Sequence, residues 1–352
     1  MPITIVVGGQ YGSEGKGKVV ALLARYRQLD CVVRCGGPNS GHTTSIGARE
    51  TVLRQLPASV GVSTALVAIA AGAAIDEEVL FREVAETGVE RDRLVIDPRA
   101  VIIDENDKKQ ESSLRDAIAS TGSGNGQALI QRMLRHRPRL AGDCAALTDI
   151  ARVEQVAPLV HEMSDRGLET VIEGTQGFGL SLLHGPDYPF VTSKDTTASG
   201  FAMEVGVSPR DVTNVVMVVR TFPIRVGGDS GPLKNEISWE RVQQLASAPI
   251  SEPEYTSVTK TLRRVATFDL ELVKAAARYN RPTAIAVMGI DRLDNRNRGV
   301  TSAEALSPVA TDFLQNLRRE LGVPIEWVGT GFGTFEACSL AGCKLTETAN
   351  VR

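Results

Sequence analysis

The chain has 352 residues, 42% of them hydrophobic and 23% charged, with a net charge of −3. That composition is ordinary for a soluble globular protein. The absence of basic runs excludes a nucleic-acid platform, and the longest apolar run, residues 65–74, is about half of what a membrane span needs. In chain order, residues 3–7 are short, β-branched and followed by Gly8-Gly9, which reads as a buried strand. A Gly-rich turn leads into a helix over 19–27. Strands follow at 31–34 and 66–71, a helix at 76–86, and short strands at 94–96 and 101–103. A flexible turn at 122–126 precedes a helix at 127–136. Residues 149–166 read as one amphipathic helix kinked at Pro158. Strands are expected at 170–172, 214–219, 283–288 and 324–328, with helices at 268–277 and 311–321, the last stopped by Gly322.

Buried strands alternating with helices predict an α/β fold, a mostly parallel central sheet flanked by helices. The length accommodates one such domain with excursions or two domains. Of the five cysteines, Cys31, Cys35, Cys144, Cys338 and Cys343, none forms a Cys-x-x-Cys pair, so buried free thiols in a reducing compartment are expected. Met1-Pro2 runs into a strand pattern without the basic start of a secretory leader, so a cytoplasmic location is expected, host cytoplasm for a viral protein.

Seventeen of the 33 glycines gather in loops that follow strands or open helices: 8–17, 36–41, 122–126, 174–179 and 329–333. Such loops lie at the carboxyl ends of parallel strands, where open α/β sheets bind ligands. Gly8-Gly9-Gln10-Tyr11-Gly12-Ser13-Glu14-Gly15-Lys16-Gly17-Lys18 approaches a phosphate loop but departs from the Walker spacing: five residues separate Gly9 from Gly15, and Gly17 follows Lys16. Lys16 and Lys18 beside backbone donors suggest an anion site. Of the four histidines, His42 alone sits in a Gly-rich loop after a strand, in Asn39-Ser40-Gly41-His42-Thr43, and is the candidate for proton chemistry.

These two loops together resemble those of the adenylosuccinate synthetase family, whose hallmarks are G-D-E-G-K-G-K and a later N-A-G-H-T. Ser120-Thr121-Gly122, Glu173-Gly174-Thr175-Gln176-Gly177, Tyr188-Pro189-Phe190-Val191-Thr192-Ser193, Arg225-Val226-Gly227, Ile290-Asp291 and Gly329-Thr330-Gly331 fall in the family's order. The resemblance implies a compact, P-loop-related single domain over 1–352 with peripheral excursions. It implies a ligase in which a triphosphate phosphorylates the 6-oxo group of a purine monophosphate and L-aspartate then displaces the phosphate. Ser13, Lys16, His42 and Gln176 would carry the chemistry. Gly12, Ser13, Glu14, Gly15, Lys16, Gly17, Gly41, His42 and Thr43 would meet the triphosphate, with Asp291, Gly329, Thr330 and Gly331 at its base. Ser13, Asn39, Ser120, Thr121, Gln176, Thr192 and Val226 would meet the monophosphate, joined by Arg135 from a partner subunit of a homodimer. Thr259, Thr261, Arg263 and Arg264 would hold aspartate, and Ser13 and Gly41 would contact Mg²⁺.

Three positions depart from the family pattern. Ser13 stands where the family has an Asp that takes the purine N1 proton and binds Mg²⁺; a hydroxyl has no comparable basicity at pH 7. Thr261 replaces the first Arg of V-T-G-R-x-R-R, a change compatible with a deoxyribose substrate. Gly289 replaces the Lys of the guanine-reading motif, so ATP or dATP becomes a candidate donor beside GTP. The Ser13 departure resembles a viral offshoot of the family, 2-aminoadenylosuccinate synthetase, which uses dGMP in place of IMP; the smaller Ser leaves room for guanine's exocyclic amine. The expectation is therefore ligation of L-aspartate to dGMP, with IMP as the alternative.

Overall fold

The computed structural model describes residues 3–46, 49–256 and 260–341. Among these, ten strands form one large sheet: β1 Ile3–Gly8, β2 Cys31–Arg34, β3 Leu66–Ile69, β4 Leu94–Ile96, β5 Arg152–Val153, β6 Thr170–Glu173, β7 Val212–Arg220, β8 Ala284–Met288, β9 Ile325–Gly329 and β10 Ala337–Ser339. Their spatial order is β10-β9-β8-β7-β1-β6-β2-β3-β4-β5. All neighbouring pairs are parallel except β9 with β10. β1, β2 and β6 are buried along their whole length, as strands covered on both faces must be. The covering helices include α1 Lys16–Tyr26, α2 Glu77–Thr87, α4 Val156–Asp165, α5 Ala198–Val205, α6 Leu270–Asn280 and α7 Pro308–Leu321, while α3 Asn125–Leu134 packs through Ala128 on Ala74 and Val101, outside the large sheet. Residues of α4, α5, α6 and α7 pack one face, with Phe178 and Phe201 among the largest buried side chains. Residues of α1 and Trp327 pack the other face of the central strands.

The α/β expectation holds, and several boundaries move for local reasons. α1 begins at Lys16, because Gly15 with φ 99° turns the chain directly into the helix. Residues 149–166 are not one kinked helix. A short helix, Leu147–Ile150, ends at strand β5, and α4 starts afresh at Val156, with Pro158 in its first turn where a missing N–H costs nothing. Val101–Ile102 does not join the large sheet; it pairs with Ala74–Ile75. α7 is capped by the Ser307 hydroxyl and stopped by Gly322 at φ 65°. Cys31, Cys35 and Cys144 are buried free thiols, Cys338 is buried, and Cys343 lies outside the described residues.

The parallel order delivers the carboxyl ends of β1, β6, β7, β8 and β9 to one edge of the sheet. A hairpin of His42–Ile46 with Arg49–Leu53, which the sequence pattern did not announce, folds over that edge.

Candidate active site

A cavity of about 1020 Å³ opens at this edge. It exceeds the usual size of a one-ligand pocket. Its wall includes the β1–α1 loop, the 39–43 segment, Ser120, Thr121, Gln176, Val226, Thr261, Arg263, Asp291 and Gly331.

The β1–α1 loop is built around Glu14. Its Oε1 accepts the N–H groups of Gln10 and Gly12 at 3.1 and 2.9 Å, and its Oε2 pairs with Lys16 Nζ at 2.6 Å. All of this is buried. The carboxylate therefore occupies part of the loop's own donor set, and the Lys16 ammonium is paired rather than bare. The fit is close: a Cβ at Gly177 would lie 2.2 Å from Glu14 Oε1. Gly17 likewise lets α1 touch the hairpin, since a Cβ there would meet His42 Cβ at 2.6 Å. Ser13 is exposed at the loop's crest with φ 56°, a left-handed conformation that Asp and Asn adopt more readily than Ser. Lys18, expected to join the anion site, instead donates to the carbonyls of Gly331 and Glu336 at 2.9 and 2.8 Å. Burial pulls its ammonium down to about 8.

His42 is backed by two charged groups that end neighbouring strands. Arg34 closes β2 and Glu173 closes β6, and the parallel register sets them side by side. His42 Nδ1 and Arg34 Nη1 both contact Glu173 Oε1, while Glu173 Oε2 accepts the Ala58 N–H at 2.8 Å. Arg34 Nη2 donates to the Ser40 carbonyl at 2.9 Å, fixing the 39–43 segment. Burial, then the Arg34 charge, holds the imidazole well below its ordinary range. Burial pushes Glu173 up, but Arg34 and His42 more than offset it and keep the carboxyl ionised. Arg34 Nη1 also meets His42 Nδ1, at 2.5 Å, so both charged groups lie on that nitrogen and Nε2 is left for the cavity.

Arg220, at the end of β7, ties the opposite wall together. Its backbone exchanges two hydrogen bonds with the Gln10 amide. Its guanidinium donates to the Ser13 carbonyl at 3.2 Å and forms a two-pronged pair with Glu254. Burial raises Glu254, but Arg220 more than compensates and brings it to about 2. Arg263 lines the cavity beside this pair, and its Nε, like those of Arg34 and Arg220, is buried without a hydrogen-bond partner. Burial raises the Asp291 carboxyl above its ordinary range.

Of the residues singled out in the sequence, the cavity gathers Gly12, Ser13, Glu14, Gly15, Lys16, Gly17, Asn39, Gly41, His42, Thr43, Ser120, Thr121, Gln176, Val226, Thr261, Arg263, Asp291 and Gly331. Five others stand away from its wall. Arg264 is taken by Glu236, at 2.6 Å, and by the Gly231 carbonyl. The Thr330 hydroxyl is buried and donates to Val300 O, with Gly329 beneath it in β9. The Thr192 N–H bonds Leu180 O. Arg135 is exposed where it ends α3, with φ 57°. Thr259 lies outside the described residues. Sequence inspection gave no role to Arg34, Arg220 or Glu254, and quoted Glu173 only as the first residue of Glu173-Gly174-Thr175-Gln176-Gly177. The available signal was a charged residue closing an otherwise apolar buried strand, in Cys31-Val32-Val33-Arg34 and Thr170-Val171-Ile172-Glu173. Among the described residues no cluster of three or more His, Cys, Asp or Glu could hold a metal by itself.

The family model described as adenylosuccinate synthetase matches residues 5–148 and 144–299. The adenylosuccinate synthetase of Methanocaldococcus jannaschii is 41% identical over 335 residues, covering 93% of this chain and 94% of that protein. The enzyme of that name from Pyrococcus horikoshii is 38% identical, covering 94% and 96%. Among solved structures, the fully ligated adenylosuccinate synthetase of Plasmodium falciparum superposes with TM-score 0.85 at 20% identity, covering 96% of this chain and 100% of that one, a likeness of fold. The cyanophage S-2L succinoaminodeoxyadenylate synthetase, bound to dGMP and dATP, superposes with TM-score 0.79 at 25% identity over 96% and 95%. With a family model over most of its length and a 41% identical relative, the chain belongs to the adenylosuccinate synthetase family.

Proposed function

We propose that this chain is a carbon–nitrogen ligase that joins L-aspartate to C6 of a 6-oxopurine nucleoside monophosphate at the expense of a nucleoside triphosphate. The observation that carries the reading is one cavity holding three elements: a Gly-rich loop with Lys16, an imidazole backed by a buried carboxylate, and Arg263 with an unpartnered donor. A carbonyl oxygen is a poor leaving group. As the N1 proton is lost to water, O6 takes the terminal phosphoryl group and the nucleoside diphosphate departs; the aspartate amine then attacks C6, gives up a proton, and inorganic phosphate leaves. The negative charge of bound polyphosphate favours a proton on His42 Nε2, which then donates to O6 as charge develops there, and Glu173 balances the imidazolium. Lys16 leaves Glu14 for the transferring phosphoryl oxygens. Arg263 receives a carboxylate of aspartate.

The family's Mg²⁺ would be met by the Ser13 hydroxyl and the Gly41 carbonyl. Two neutral hard oxygens fit an ion that keeps phosphate and water oxygens as its remaining ligands; when bound it neutralises phosphate charge.

Two purines answer this description. The curated relatives are named adenylosuccinate synthetase at up to 41% identity, which favours IMP. Ser13 favours dGMP: it removes a carboxylate from the loop crest and leaves space there, and the cyanophage enzyme's structure has dGMP bound. Our reading is dGMP, with IMP second. The deciding experiment follows phosphate release from protein, Mg²⁺, aspartate and ATP or GTP with each monophosphate. Turnover with IMP alone overturns the dGMP reading; turnover with neither overturns the ligase reading.

We further propose that the enzyme works as a homodimer in which Arg135 reaches the partner's monophosphate. α3 ends at Arg135 and exposes Ile130, Met133 and Leu134 beside it, an apolar surface suited to a second copy. Sedimentation showing a monomer at working concentration would exclude this arrangement.

A further inference from the structure

Lys260, Thr261 and Arg263 share one wall of the cavity. Backbone hydrogen bonds tie this stretch to residues 254–256. The Thr256 N–H donates to the Thr261 carbonyl at 2.9 Å, the Lys260 N–H to the Thr256 carbonyl at 3.2 Å, and the Arg263 N–H to the Glu254 carbonyl at 2.9 Å. Within that frame Lys260 is held at φ 55°, a left-handed conformation that a long side chain rarely adopts. It stands where the pattern V-T-G-R-x-R-R has Gly. Such a conformation persists only where its surroundings enforce it, and it is common where ligands bind. Its result here is an exposed lysine side chain on the cavity wall, three positions from Arg263.

Most other cations of the cavity are already engaged. Lys16 pairs with Glu14 and Arg220 with Glu254, while Arg298 and Arg292 meet Glu252 at 2.7 and 3.7 Å. Lys18 donates to two backbone carbonyls. Lys260 makes neither an ion pair nor a side-chain hydrogen bond among the described residues. Aspartate brings two carboxylates, and Arg263 answers one of them. Thr261 offers only a hydroxyl, and Arg264 is taken by Glu236.

We infer that Lys260 receives the second carboxylate of the incoming aspartate. The inference rests on the proposed ligase reading and adds to it a residue that selects the amino acid: a second cation favours a dicarboxylate over an amino acid with one carboxylate. An ammonium on a four-carbon stem is a point charge, which meets a carboxylate without the fixed geometry of a guanidinium.

The test is the rate of phosphate release with aspartate varied, at saturating triphosphate and monophosphate, for wild type, Lys260→Met, Lys260→Gly and Lys260→Arg. Lys260→Met keeps the stem without the charge, and Lys260→Gly adopts φ 55° without strain. Both are expected to raise the KM for aspartate at least fivefold, with kcat and the KM for the monophosphate little changed. Lys260→Arg keeps the charge and is expected to stay within about threefold of wild type. A smaller rise in either neutral variant, an equal rise in the monophosphate KM, or a Lys260→Arg as impaired as Lys260→Met overturns the role of Lys260 and leaves the ligase reading standing. A wild-type chain that releases no phosphate with aspartate and either monophosphate overturns the ligase reading and this inference with it.

Discussion

Glu173 lies beneath His42 at the end of a fully buried strand, its carboxylate against the imidazole Nδ1 and wholly shielded from water. The pair joins the sheet, which fixes Glu173, to the hairpin, which carries His42. Glu173→Gln keeps the shape but removes the charge that stabilises an imidazolium. Turnover is expected to fall by about 100-fold, within the range of a general acid's contribution, while the KM for the monophosphate changes little. Turnover within twofold of wild type would show that Glu173 does not act through His42.

The burial of His42 sets a pH dependence, which Glu173 opposes without cancelling. Burial first, and Arg34 second, lower the His42 pKa from 6.5 to about 4 in the folded chain. The unfolded chain therefore binds a proton at a pH where the folded one does not. This contribution to stability is complete above about pH 6.5 and is lost as pH falls toward 4, amounting to roughly 3 kcal/mol. Urea unfolding between pH 7 and 4.5 is expected to show this loss in wild type and less of it in His42→Gln. Parallel curves for the two proteins would contradict the assignment.

Ser13→Asp returns a carboxylate to an exposed left-handed position, where Asp is the better tolerated residue. It adds bulk and charge beside the space assigned to the purine's C2 side. The ratio of kcat/KM for IMP over dGMP is expected to rise at least tenfold, about 1.4 kcal/mol. A ratio that does not move would show that Ser13 does not select the purine.

Much of the sheet was legible because its strands are buried on both faces and read as short β-branched runs closed by glycine, as in residues 3–9. The 149–166 region was misread because its apolar spacing is continuous across Ile150, Val153 and Val156. What breaks it is tertiary: Arg152–Val153 pairs with the edge of β4. In the site, glycine spacing located the β1–α1 loop, but not the use to which Glu14 puts its donors. Arg34 and Glu173 lie 139 positions apart, and only the β2–β6 pairing brings them together.

The two consecutive arginines separate into different tasks. Arg263 lines the cavity with a buried, unpartnered Nε, whereas Arg264 is held by Glu236 and the Gly231 carbonyl outside it. Arg263→Ala is expected to raise the KM for aspartate by tenfold or more, in line with the loss of a charge-assisted hydrogen bond. Arg264→Ala is expected to leave that KM within about twofold and to lower the thermal midpoint slightly, since its ion pair is partly exposed. Equal effects on aspartate KM would reverse this division.

Gly177 tests whether Glu14 must remain seated in the loop. A methyl group there would sit 2.2 Å from Glu14 Oε1, 2.5 Å from the Gln10 carbonyl and 2.6 Å from the Gly12 nitrogen, all parts of one buried arrangement. None can yield without breaking the hydrogen bonds that shape the turn after β1. Forced overpacking of this kind costs about 1–3 kcal/mol, which the rest of the sheet can absorb. Gly177→Ala is therefore expected to fold with a thermal midpoint only a few degrees lower, while its KM for the triphosphate rises at least tenfold because Lys16 and the loop N–H groups are displaced together. Isothermal titration of the triphosphate against the purified variant reads this directly. Wild-type affinity would mean that the seated Glu14 carboxylate plays no part in preparing the loop for phosphate.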